Sequence, residues 1–251
     1  MIVRASESQH WYDRDGTPAY SVIAKNGLPR PTTLRDARKL NLVPSVTGIL
    51  NCAAKPALEA WKLNQMMLAC LTIQKVEGET EERFIDRIIK DSKEHAKMAA
   101  ERGTSVHTAL EKSYEGVFHS DYMEHSIGTQ NAVEEHFGTP NWNTEKSFCH
   151  ESGFGGKVDL HSTDGRGVVI DFKTKEFSDP NAVEAWDEQL MQLCAYRVGL
   201  GIPEARCANV FVSVTVPGLV KVIEWTDDEM KKGWEMFSAL LKYWQAKNNH
   251  R

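Results

Sequence analysis

The run Gly155 to Lys175, GGKVDLHSTDGRGVVIDFKTK, constrains this chain more than any other stretch. It predicts a β-hairpin. Lys157, Val158, Asp159 and Leu160 form the first strand, and Ser162 to Gly167 a polar turn tightest at Asp164-Gly165. Val168 to Lys173 return, opening with an apolar β-branched run that suits a strand buried on both faces. Asp171 and Lys173 are out of character in such a strand. Period-two geometry puts them on one face and Phe172 on the other. Buried charges of this kind cost several kcal/mol unless they are paired. Asp159 on the neighbouring strand completes a carboxylate pair, and a divalent cation relieves the repulsion between two such groups. Two carboxylates around Mg²⁺ or Mn²⁺, with a lysine beside them, suit phosphodiester hydrolysis. The lysine orients a water or offsets charge in the transition state. The plain alternative is an Asp-Lys ion pair at a strand end, and D-x-K alone does not separate the two.

At 251 residues with 41% hydrophobic content, the chain can bury a substantial core. Its net charge of −5 excludes a globally basic nucleic-acid binder, so DNA would need a local basic groove or bound metal. Five scattered cysteines, Cys52, Cys70, Cys149, Cys194 and Cys207, include no C-x-x-C pair. Zinc ribbons and a full disulfide framework are therefore not expected, and a reducing cytoplasm fits. The N-terminus is charged from Arg4 onward, which predicts no signal peptide, and no run reaches membrane-span length.

Taken in order, the chain predicts a small hairpin over 9–30, Trp11-Tyr12 pairing with Tyr20 to Ile23 about the turn at Asp13 to Gly16. Thr33 caps a short helix from Leu34 to Leu40, and Ser45 caps another. Lys55-Pro56 restarts a helix whose Trp61, Met66 and Met67 are expected in the core. Phe84 to Arg102 is a long helix ended by Gly103, with Thr104 capping a new one from Ser105 to Tyr114. On that helix His107 and Glu111 stand one turn apart. His107 is read either as a structural histidine or as a nitrogen ligand to the same metal. H-x-x-x-E lacks the second histidine of a zinc protease site. A helix over Glu124 to Phe137 and a strand over Glu145 to His150 precede the hairpin. A helix from Val183 to Leu200 follows it and carries Gln192 and Tyr196 on one face. Strands at Ala208 to Val216 and Leu219 to Trp225, then a closing helix from Asp227, complete the pattern.

Four motifs therefore run in order: G-T-x-x-H at Gly103 to His107, G-G-K-V-D at Gly155 to Asp159, D-F-K at Asp171 to Lys173 and Q-x-x-x-Y at Gln192 to Tyr196. Together they resemble the RecB-type branch of the PD-(D/E)XK nucleases. With P-S-V-T at Pro44 to Thr47, Lys55 and Trp61, the pattern resembles the mitochondrial genome maintenance exonucleases and related phage exonucleases over residues 44–245.

The resemblance implies an α/β PD-(D/E)XK fold, a central mixed β-sheet flanked by helices, with an N-terminal helical region. The chain is expected to divide into an N-terminal hairpin and short helix (1–43), a helical region (44–102) read either as a packed subdomain or as an arch over threaded DNA, and a nuclease core (103–251). It implies metal binding by His107, Asp159, Asp171 and the backbone carbonyl of Phe172. Lys173 becomes the catalytic lysine, and Gln192 and Tyr196 line the site. The implied activity is a divalent-metal-dependent deoxyribonuclease, an exonuclease hydrolysing DNA in phage or bacterial recombination, repair or turnover. Its cofactor is Mg²⁺ or Mn²⁺. Some relatives carry an iron–sulfur cluster on one early and three late cysteines. Only Cys194 and Cys207 follow the hairpin, so no iron–sulfur cluster is expected. The expected partners are DNA, single-stranded or with free ends, and a recombination or replication protein, with no membrane. The expected compartment is the cytoplasm of a bacterial or phage-infected host cell. Two alternatives stay open, a non-catalytic nucleic-acid-binding protein on the same fold and an endonuclease of the same superfamily.

Overall fold

A computed structural model describes residues 10–251, so the expectation at Arg4 lies outside the described residues. Short strands β1 (Trp11–Tyr12), β2 (Ser21–Ile23) and β3 (Pro29–Pro31) lead into helix α1 (Leu34–Leu40) and strand β4 (Val43–Pro44). Helices α2 (Val46–Leu50), α3 (Pro56–Thr72), α4 (Glu81–Tyr114) and α5 (Met123–Phe137) follow. Strands β5 (Asn143–His150), β6 (Phe154–Ser162) and β7 (Val168–Lys175) come next, then helix α6 (Asp187–Gly199). The chain closes with β8 (Arg206–Ser213), β9 (Val220–Trp225) and α7 (Asp227–Asn248).

The central mixed sheet has the order β5-β6-β7-β8-β9, with β7 and β8 parallel and every other pair antiparallel. Two parallel strands need a crossover, and α6 supplies it. On one face α4 and α5 cover a core of Leu110, Val133, Leu160, Ile170, Phe172 and Val210. On the other, α6 is backed by α2 and α7 over Val158, Val169, Leu193 and Phe237. Both faces of the middle strands are thus buried, which is why Val168 to Ile170 reads as a continuous apolar run.

The β6–β7 ladder pairs Ser162 with Val168, His161 with Val169 and Leu160 with Ile170, and goes no further. Beyond it the two strands part. Val158 belongs to the α6-side core and Leu160 to the α4-side core, although two residues apart in one strand should share a face. The strand therefore turns over at Asp159. Across the β5–β6 register at that point, Glu145 takes a left-handed backbone conformation (φ 56) that is rare for a residue with a side chain.

Several expectations need correction. Tyr12 meets Pro18 in an isolated bridge around the expected turn, but Trp11-Tyr12 pairs with Val43-Pro44, and Ser21 to Ile23 pair with Pro29 to Pro31. Trp11 is fully buried against Trp244, so the closing helix draws the first strand away from its neighbour in sequence. No helix break occurs at Gly103. α4 runs on to Tyr114, across the boundary expected between helical region and core, and Thr104 Oγ1 donates back to the Ala100 carbonyl (3.0 Å). A Cβ at Gly103 would lie 2.6 Å from Thr174 Oγ1, so this glycine lets α4 cross close to β7. α6 begins at Asp187, because Gln189 Oε1 accepts the Trp186 N–H (2.8 Å) and fixes the helix start there. Finally, Trp61, Met66 and Met67 are exposed rather than core residues, since α3 packs on α4 and away from the sheet. Among the described residues, no helix is long and apolar enough to cross a membrane.

Candidate active site

The gap where β6 and β7 part is filled by side chains from both helical layers. α4 contributes His107 and Glu111. His107 Nε2 lies 3.0 Å from Asp159 Oδ2, and Nδ1 lies 2.8 Å from Glu111 Oε1. Burial alone would lower the imidazole pKa, but the bonds to Asp159 and Glu111 outweigh it and push it up to about 10. Each ring nitrogen thus faces a carboxylate. Burial in turn raises the Glu111 pKa against the pull of His107. Asp159 Oδ2 also accepts the Phe172 N–H (2.8 Å), tying the β6 carboxylate to the neighbouring strand. A strand residue directs its N–H and C=O to the same edge, so the Phe172 carbonyl opens on the edge that faces Asp159.

From the other layer comes a second chain of contacts. Asp171 is 1% exposed. Lys173 Nζ lies 2.7 Å from its Oδ2, and Asn209 Nδ2 donates to Oδ2 at 2.8 Å. Burial raises the Asp171 pKa, the Lys173 charge opposes that rise and the Asp159 charge adds to it. Lys173 Nζ also donates to Gln192 Oε1 (3.1 Å), and Gln192 Nε2 to the Tyr196 hydroxyl (2.7 Å). Gln192 and Tyr196 stand one turn apart on α6, Gln192 reaching Lys173 on β7 and Tyr196 lying over Gly156 on β6. Tyr196 is buried, and burial drives its pKa well above the ordinary phenol value. The paired glycines before Asp159 leave room for this packing. A Cβ at Gly156 would lie 2.8 Å from the Phe148 ring and 3.0 Å from the Tyr196 ring.

All the expected residues, His107, Asp159, Asp171, Phe172, Lys173, Gln192 and Tyr196, thus fall in one region of bonded neighbours. Two further residues belong to it. Glu111 was visible as H-x-x-x-E, but nothing in sequence tells that its carboxylate grips the far nitrogen of His107. Asn209 carries no sequence signal. It is completely buried on β8 and accepts the Trp225 indole N–H (2.8 Å) through Oδ1. Because an indole N–H can only donate, Trp225 fixes the amide with its NH₂ towards Asp171.

One ligand atom from each of His107, Glu111 and Asp159 lies within 4.8 Å of the others. An imidazole with carboxylates suits a divalent cation such as Mg²⁺ or, better, Mn²⁺. Asp171 stands outside that group, with its oxygens turned to Lys173 and Asn209. A cleft of about 410 Å³ opens beside the group, lined by His107, Glu111, Asp159 and Lys157 and walled by His10 and Tyr20.

No family model matches the chain, and no curated protein matches it. Among solved structures, the chain is similar to an alkaline exonuclease, LHK-Exo, from Laribacter hongkongensis, with 12% identity and a TM-score of 0.37. That likeness covers 81% of this chain and 91% of the other. A second crystal structure, of SSO0001, is similar at 15% identity and a TM-score of 0.29, over 73% of this chain and 86% of the other.

Proposed function

We propose that the protein is a Mg²⁺- or Mn²⁺-dependent DNA exonuclease that hydrolyses phosphodiester bonds in the gap between β6 and β7. The observation that carries this reading is the convergence of His107 and Asp159 with the Asp171–Lys173 pair where the ladder ends. His107, Asp159, Asp171 and the Phe172 carbonyl would hold the cation, and Glu111 would keep the imidazole turned towards it. The bound ion supplies positive charge to the scissile phosphate and acidifies a water.

The chain's own groups do the rest. An ammonium has three N–H donors. Lys173 Nζ lies against both Asp171 oxygens and Gln192 Oε1, and its charge would act on a phosphate oxygen or the attacking water. Gln192, held by Tyr196, would help fix where that ammonium sits. Burial of Asp171 keeps water away from the charges and so strengthens their field. An end-dependent mode fits the paired helices α3 and α4, whose exposed face offers aromatic, apolar and basic side chains to a single strand. A role in phage or bacterial DNA recombination, repair or turnover, alongside a recombination or replication protein, belongs to the same proposal.

The test is end-labelled single- and double-stranded DNA incubated with the protein and Mg²⁺, Mn²⁺ or EDTA. Progressive loss of nucleotides with either metal, and none with EDTA, is expected. Asp159→Asn and Asp171→Asn should each abolish it with the fold intact. Full activity in EDTA or in either variant would refute the site.

A further inference from the structure

The cleft has one wall that the nuclease chemistry does not use. His10 and Tyr20 come from the N-terminal segment, outside the stretch that carries the nuclease-like motifs, yet they line the same cleft as His107 and Asp159. Their rings are stacked, with centroids 4.4 Å apart and planes 24° apart. Tyr20 is 38% exposed, and His10 is exposed as well.

The pair is held in place from several sides. The hydroxyls of Tyr20 and Tyr12 are 2.8 Å apart, and Tyr12 is almost fully buried. The Tyr12 side chain fits only because Gly155 has none, since a Cβ at Gly155 would lie 2.8 Å from Tyr12 Cβ and Cγ. The glycine pair before Asp159 thus seats this wall as well as Tyr196. The Tyr20 carbonyl accepts the Thr32 N–H (3.0 Å), and the His10 carbonyl accepts the Ser45 N–H (2.9 Å). Stacked rings locked in this way beside a phosphodiester-cleaving centre are preorganised to receive a flat apolar surface.

We infer that His10 and Tyr20 form a stacking platform for one nucleobase of a DNA strand whose backbone runs to the candidate active site. The inference rests on the nuclease reading and adds to it a base subsite. Every base has a π-face, so such a platform binds without choosing sequence. His10 and Tyr20 stack on each other, and Tyr20 spends its hydroxyl on Tyr12 rather than on a base edge.

The experiment measures binding of a short fluorescein-labelled single-stranded DNA, with Mg²⁺, to full-length Lys173→Ala protein, so that cleavage does not deplete the probe. A single abasic residue is then walked along the strand. One position is expected to bind less tightly when abasic. His10→Ala and Tyr20→Ala added to Lys173→Ala should weaken the intact strand about 10-fold or more, the scale of one base–aromatic stack. They should also erase the abasic effect at that one position. Tyr20→Phe should keep both affinity and abasic sensitivity. His10→Ala alone changes an exposed side chain and guards against misfolding of the Tyr20 variant. Equal affinity in all variants, or an abasic effect that survives them, overturns the platform. Wild-type cleavage of the same strand, run in parallel, separates the two claims. Cleavage without platform effects removes only this inference, whereas neither binding nor cleavage removes the nuclease reading with it.

Discussion

Lys173 sits between a buried carboxylate and an amide, and its bonds define what its loss should do. Lys173→Ala removes a donor from the reacting phosphate but leaves His107, Asp159 and Asp171 in place. Turnover should fall by orders of magnitude while Mn²⁺ affinity, read by calorimetry, changes little. A rise in KM with turnover unchanged would make Lys173 a binding residue instead. Asn209 acts one step further out, by orienting Asp171 through a bond to its Oδ2. Asn209→Ala should weaken Mn²⁺ binding roughly 10- to 100-fold, the usual cost of losing an outer partner of a ligand. Unchanged affinity with a lowered melting temperature would show a purely structural asparagine. The two residues also mark what sequence can tell. Asp171 and Lys173 stand out because charges in an apolar strand demand a reason. Asn209 stands in an ordinary strand, and its partner Asp171 lies 38 residues away, a distance no local pattern spans.

At the scale of elements, caps and apolar periods were legible because they are local physics. Thr33, Ser45 and Thr226 cap helices by accepting backbone N–H groups, as their side chains favour. Gly103 misled because a glycine reads as a helix end by propensity, whereas here its lack of a side chain serves the crossing of α4 over β7. The exposed face of α3 misled because Trp61 and Met67 have the composition of a core but no sheet beneath them. Gly156 tests the packing that carries α6 to the site. Gly156→Ala drives a Cβ into the Phe148 ring and should cost about 1–3 kcal/mol, the range for overpacking. Phe148→Leu in the same chain should recover part of that loss. Thermal unfolding of the single and double variants reads the difference, and an unaffected single variant would show that the strand relaxes freely.

Over the whole molecule, the sheet order and the parting of β6 from β7 bring residues from α4, β6, β7 and α6 together. Sequence showed the elements and the order of their motifs. It did not show that β6 turns over at Asp159, because Val158 and Leu160 are both ordinary apolar strand residues and nothing local tells which core each joins. An end requirement belongs to this scale too. If a strand must thread past the α3–α4 pair to reach the gap between β6 and β7, a covalently closed single-stranded circle should resist digestion while its linearised form is degraded. Equal rates on both would make the protein an endonuclease. The metal site itself is tested most directly by an anomalous difference map from crystals soaked in Mn²⁺. A peak in contact with His107 Nε2, Asp159 and Asp171, with Glu111 still on the far side of the imidazole, is the expected result. Clear density for these side chains with no Mn²⁺ between them would contradict it.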